Sequence, residues 1–140
     1  MKLDIDYLKG LLEAIEATPD PIFTIRTPEL AGFRHNEPRF VFHMGLLHDK
    51  GLVSRENGQP GIGLLRGADL STSWSVVPLR LTAQGHDFLH ALRNKEVWTT
   101  IKKDFKEGSI TAIVDTAKKL VEAYSTKKIE TLLKGEGFSF

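Results

Sequence analysis

The chain of 140 residues contains no cysteine. Disulfides, thiolate metal sites, iron–sulfur clusters and cysteine nucleophiles are excluded together. A cysteine-free chain also fits a reducing compartment. Long hydrophobic runs are missing as well: no stretch approaches the run of about 18 apolar residues that spans a bilayer. The opening MKLDIDYLKGLLEAIE carries Asp4, Asp6, Glu13 and Glu16 and no apolar core before a small-residue cleavage site. It lacks the form of a secretory signal, and a cytoplasmic protein with no membrane partner is the expectation. An excess of one charge is absent too. There are 19 Lys and Arg against 18 Asp and Glu, a net charge of +1. A strongly electrostatic nucleic-acid binder usually carries more. With 41% hydrophobic and 26% charged residues the composition is ordinary for a globular protein, which excludes wholesale disorder.

Apolar periodicity places the elements. Leu8, Leu11, Leu12 and Ile15 form a helical stripe, with Asp4 or Asp6 at the helix start and Thr18-Pro19-Asp20-Pro21 as its stop. Ile22–Ile25 reads as a short strand, and Thr27-Pro28 opens a turn that Gly32 ends. A second helix is expected from Asn36, as cap, to Lys50, with Phe40, Met44 and Leu47 on its core face and Gly51 after its end. Leu52–Arg55 reads as a strand, Asn57-Gly58 as a turn, and Ser73–Leu81 as the returning strand, with Pro78 marking an edge or a bulge. Thr82 caps a third helix, Asn94 interrupts it, and Ser109 caps a long last helix carrying Ile113, Ala117, Leu120, Val121 and Tyr124. Ser125-Thr126 is expected to weaken that helix, and the tail after Gly135 reads as a loose end.

This order predicts an α+β, mainly α protein: a winged helix-turn-helix over residues 1–93 with a C-terminal helical extension over 94–140, packed on it or used for dimerisation. The motif HxxLLxxxGLV runs from His43 to Val53, and Leu81–Leu89 closes the hairpin and opens the next helix. The opening helix, the His43–Val53 run and LTAQGHDFLHALRNKEVW (Leu81–Trp98) resemble the bacterial and phage family of small proteins called DUF2513. The resemblance covers nearly the whole chain. It implies a winged-helix fold and brings no catalytic residues with it.

Nothing in the sequence assembles an active site. His86 and His90 share a helix face but lack the HExxH pattern, and local packing explains them better than zinc. Asp87 beside His86 suits the positive start of a helix. Gly61-Ile62-Gly63 lacks the spacing of a dinucleotide loop and fits a hairpin. The expectation is a non-enzyme with no catalytic residue, no metal and no cofactor.

The best interaction surface is the stripe Arg39, His43 and Lys50, continued by Arg55, Asn57 and Arg66 in the wing. In a winged helix these would meet base edges and phosphates of double-stranded DNA. Residues 1–50 hold 6 basic and 8 acidic side chains, so contact with DNA would gain from a second copy. Leu120, Tyr124 and Leu132 are the expected homodimer contacts. The leading expectation is a small DNA-binding regulator of phage or mobile-element type. The alternative is a protein-interaction module, such as an accessory or neutralising subunit of a bacterial defence or toxin–antitoxin system.

Overall fold

The computed structural model describes residues 1–135. The expected loose tail lies outside the described residues. The protein is α+β and mainly helical, with small antiparallel two-stranded sheets. Its contacts divide the chain into two compact units, Met1–Leu89 and a second beginning at His90. The division falls inside a helix.

In the first unit, α1 spans Ile5–Glu16. Asp4 is its cap: the backbone is extended there and the Asp4 carboxylate accepts from the Tyr7 N–H at 3.2 Å. Ile5, Leu8, Leu11, Leu12 and Ile15 are all buried, as their helical spacing requires. Phe23 then makes a single antiparallel bridge to Leu79 in place of the expected strand. A 3-10 turn, Thr27–Ala31, ends on Gly32, whose φ of +91° is left-handed.

The helix α2 spans Pro38–Asp49. Its cap position is Glu37, not Asn36. Pro38 holds its predecessor in the extended region, which makes Glu37 the last non-helical residue. Phe40, Met44 and Leu47 are fully buried.

After Gly51 the chain enters a nested ribbon. Strand β1 (Val53–Arg55) pairs with β4 (Leu79–Leu81), and inside them β2 (Leu64–Arg66) pairs with β3 (Thr72–Trp74). The bridge at Leu79 places β4 between the Phe23 segment and β1. The sequence predicts one returning strand over 73–81, but it is split. Pro78 has no N–H to give, and Ser75 instead donates to Gly63 O at 2.8 Å. A Cβ at Gly63 would lie 2.2 Å from Ser75 O, so only glycine allows this closure. The reversal of the ribbon is also not at Asn57-Gly58. That pair turns within the outgoing arm, and the tip lies at 67–71, where Gly67 donates to Ser71 O at 2.8 Å.

Helix α3 (Ala83–Arg93) follows β4 directly. The Thr82 hydroxyl donates to Gly51 O at 2.6 Å and accepts from the Gly85 N–H at 3.0 Å. A Cβ on Gly85 would stand 2.2 Å from Leu52 O. Thr82 and Gly85 thus lock the first turn of α3 onto the Gly51-Leu52 corner. This is the physical content of the sequence run from Leu81 to Gly85.

In the second unit, α4 (Lys95–Asp104) is capped by Asn94, whose side chain accepts from Glu96 N at 3.0 Å and Val97 N at 3.1 Å. Helix α5 (Ile110–Gly135) is continuous through Ser125-Thr126, where the Thr126 hydroxyl donates to Glu122 O at 3.0 Å. Val97 and Ile101 of α4, and Ile113 and Ala117 of α5, are buried. Past Ala117, α5 has no buried residue among those described.

Candidate nucleic-acid interface

The stripe expected on α2 is broken in the middle. His43 is 1% exposed and cannot face a groove. Its Nδ1 meets Arg39 O at 2.6 Å, and its Nε2 meets the Asp4 N–H at 2.9 Å. A carbonyl can only accept and an N–H can only donate, so the ring is neutral with its proton on Nδ1. Burial holds its pKa below the usual histidine value, against the opposing pulls of Arg39 O and Asp4. The ring also lies beside Tyr7, with centroids 4.6 Å apart. His43 therefore ties the start of α1 to α2 and is a structural residue. The spacing carried a signal for this: His43 follows Phe40 by three and precedes Leu47 by four, which puts it on the core face.

The remaining expected contacts fall at the ends of α2 and along the ribbon. Arg39 is exposed in the first turn of α2, its guanidinium 4.8 Å from the Tyr7 ring centroid and its Nε 3.2 Å from Glu37 Oε2. Burial pushes the Tyr7 hydroxyl up from its ordinary pKa, and Arg39 partly offsets this. Lys50 is half-buried at the other end of α2. Arg55 is half-buried on β1, and its Nε is shielded from solvent without a hydrogen-bond partner. Asn57 is exposed and its side chain accepts from Gln59 N at 3.0 Å, fixing the local turn. Arg66 is exposed on β2 opposite Thr72, next to the tip of the ribbon. Leu65 and Leu70 are also exposed there, at 55% and 80%.

On α5, Leu120 and Tyr124 are half-buried and Leu132 is exposed. His86 is exposed on α3, 3.9 Å from Glu16. Among the described residues no group of three or more His, Cys, Asp or Glu is placed to hold a metal ion. No helix among them is long and apolar enough to cross a membrane.

The fold also builds a cleft of about 230 Å³ that sequence reasoning missed. Its lining includes Arg26, His35, Asn36, Thr72, Ser73 and Trp74. These residues come from three separate segments, and no spacing rule connects them.

A family model described as "Hypothetical protein (DUF2513)" matches residues 2–111. The chain belongs to DUF2513. A relative named "Uncharacterized protein" from Haemophilus influenzae (strain ATCC 51907 / DSM 11121 / KW20 / Rd) is 24% identical over 124 residues, covering 87% of this chain and 93% of its own. No solved structure matches. The DUF2513 match takes in α1 through α4 and ends at the start of α5, so the locks at His43, Thr82 and Gly85 all lie within it.

Proposed function

We propose that this DUF2513 protein is a winged-helix DNA-binding regulator of the phage or mobile-element type, and not an enzyme. One observation carries the reading: β1 follows α2, β4 lies between β1 and the Phe23 segment, and the ribbon that joins β1 to β4 ends in an exposed tip. That arrangement supports a winged helix, which would offer α2 to the major groove and the hairpin to the backbone. In it α2 is the recognition helix. Arg39 stands at its start, where side chains reach base edges, and Lys50 at its end meets phosphate. Arg55, Asn57 and Arg66 line the wing. Replacing Arg39 and Lys50 by alanine is expected to weaken duplex binding about tenfold or more with an unchanged circular dichroism spectrum. Unchanged affinity would remove α2 from the interface.

A second copy would double these contacts. The exposed apolar side chains Ile129, Leu132 and Leu133, with Leu120 and Tyr124, make α5 the pairing helix of this proposal. Light scattering at micromolar concentration is expected to give twice the 15.7 kDa of one chain. A monomer mass would count against the pairing.

Leu65 and Leu70 favour one further reading, a protein-interaction module such as an accessory or neutralising subunit. Exposed leucines on a hairpin tip suit a protein surface better than a phosphate backbone. Leu65→Ser with Leu70→Ser tests this reading: capture of a protein partner is expected to fall while duplex affinity, which rests on the basic residues, stays unchanged, and unchanged capture would count against it.

A further inference from the structure

The cleft beside Trp74 gathers one cation and several neutral polar groups. No carboxylate lines it. Arg26 is exposed and pairs with no carboxylate among the described residues. Asn36, Thr72 and Ser73 add an amide and two hydroxyls, and none of these side chains is spent on another hydrogen bond among the described residues. Glu29 lies outside the lining, against His35 Nδ1. The walls are fixed. Trp74 gives its indole N–H to His35 O at 2.8 Å, which ties β3 to the segment before α2, and the Phe40 ring stands 6.0 Å behind it. Ile25, Trp74 and Val76 complete the lining, so the cleft has an apolar wall and a polar one. A guanidinium with several neutral donors on the polar wall matches a tetrahedral anion, whose oxygens accept several bonds at once.

We propose that this cleft binds the phosphate group of a phosphate ester, with Arg26 as the cation and Asn36, Thr72 and Ser73 as neutral donors. The ester can be a nucleic-acid backbone or a free small molecule, because both present the same group. The site stands independently of duplex binding, so the two ideas fail separately.

Trp98→Phe leaves Trp74 as the chain's remaining tryptophan and thus a reporter in the cleft wall. Its fluorescence is titrated with inorganic phosphate and with ribose 5-phosphate, against sodium chloride of matched ionic strength. Amide shifts of Arg26, Asn36 and Ser73 in ¹H–¹⁵N spectra give a second readout. The expected result is a saturable change with half-saturation on the order of 10 mM or tighter, weakened at least about tenfold by Arg26→Gln. Asn36→Ala with Ser73→Ala is the second variant if Arg26→Gln unfolds. In parallel, Arg26→Gln is tested on a short duplex. Loss of duplex affinity assigns the phosphate to nucleic acid, and unchanged affinity assigns it to a small ester. The absence of any saturable response beyond the chloride control in both readouts would overturn the proposal. An equal response from a folded variant would overturn it as well.

Discussion

Acid is expected to destabilise this protein through one buried ring. His43 accepts the Asp4 N–H on Nε2 and gives its own proton to Arg39 O. Protonating Nε2 would set two donors against each other at 2.9 Å. Tyr7 and Asp4 face the ring from the start of α1 and Arg39 from α2; burial outweighs the raising pulls of the Arg39 carbonyl and Asp4, the Arg39 charge acts in the same sense as burial, and the folded-state pKa is lowered. The sign follows from linkage. Above the ordinary histidine range the ring is neutral in both states, and its titration contributes nothing to stability. As pH falls below that range, the unfolded chain takes up a proton that the folded chain refuses. Stability then falls by up to about 1.4 kcal/mol per pH unit until the lowered folded pKa is reached.

The assay is urea unfolding between pH 7.5 and 5, comparing the parent with His43→Gln. The glutamine cannot titrate, so the other histidines cancel in the difference. Losing one of two buried hydrogen bonds is expected to cost His43→Gln about 1–3 kcal/mol at pH 7.5. That gap should narrow as the pH drops through 6. A gap that stays constant or widens would refute the assignment of a neutral, doubly bonded ring.

Three further substitutions test the frame. Gly85→Ala forces a methyl to 2.2 Å from Leu52 O and is expected to lose at least about 2 kcal/mol in chemical unfolding. Thr82→Val keeps the shape but leaves Gly51 O and the Gly85 N–H without their partner, an expected loss of about 1–3 kcal/mol by the same measurement. Asn94→Ala removes two acceptor contacts at the start of α4 and is expected to lower stability by about 1 kcal/mol, with hydrogen exchange rising first at Glu96 and Val97.

The helices were legible because their signals are local. Asp4 capping α1, Pro38 in the first turn of α2, Gly51 past its end, and the Thr82, Asn94 and Ser109 caps each act within a few residues of themselves. The ribbon was legible only in outline. Asn57-Gly58 carries a strong hairpin signal, yet the true tip at 67–71 is set by the pairing of Leu64 with Trp74 and by the closure of Ser75 on Gly63, which are long-range facts. His43 was misplaced because a histidine beside Arg39 looks polar. Its burial depends on Asp4, 39 residues earlier in the chain, supplying the donor. The cleft was invisible for the same reason: Trp74 and His35 are likewise 39 apart and meet through one hydrogen bond.

The proposal of duplex binding is tested most directly by fluorescence anisotropy of a labelled mixed-sequence duplex while salt is raised from low to physiological concentration. If Arg39, Lys50, Arg55 and Arg66 each neutralise one phosphate, the logarithm of the binding constant falls against the logarithm of salt with a slope of about −3 to −4 per protomer. Each of these residues replaced should reduce that slope by about one. A folded protein that leaves the duplex anisotropy unchanged even at low salt would contradict the account.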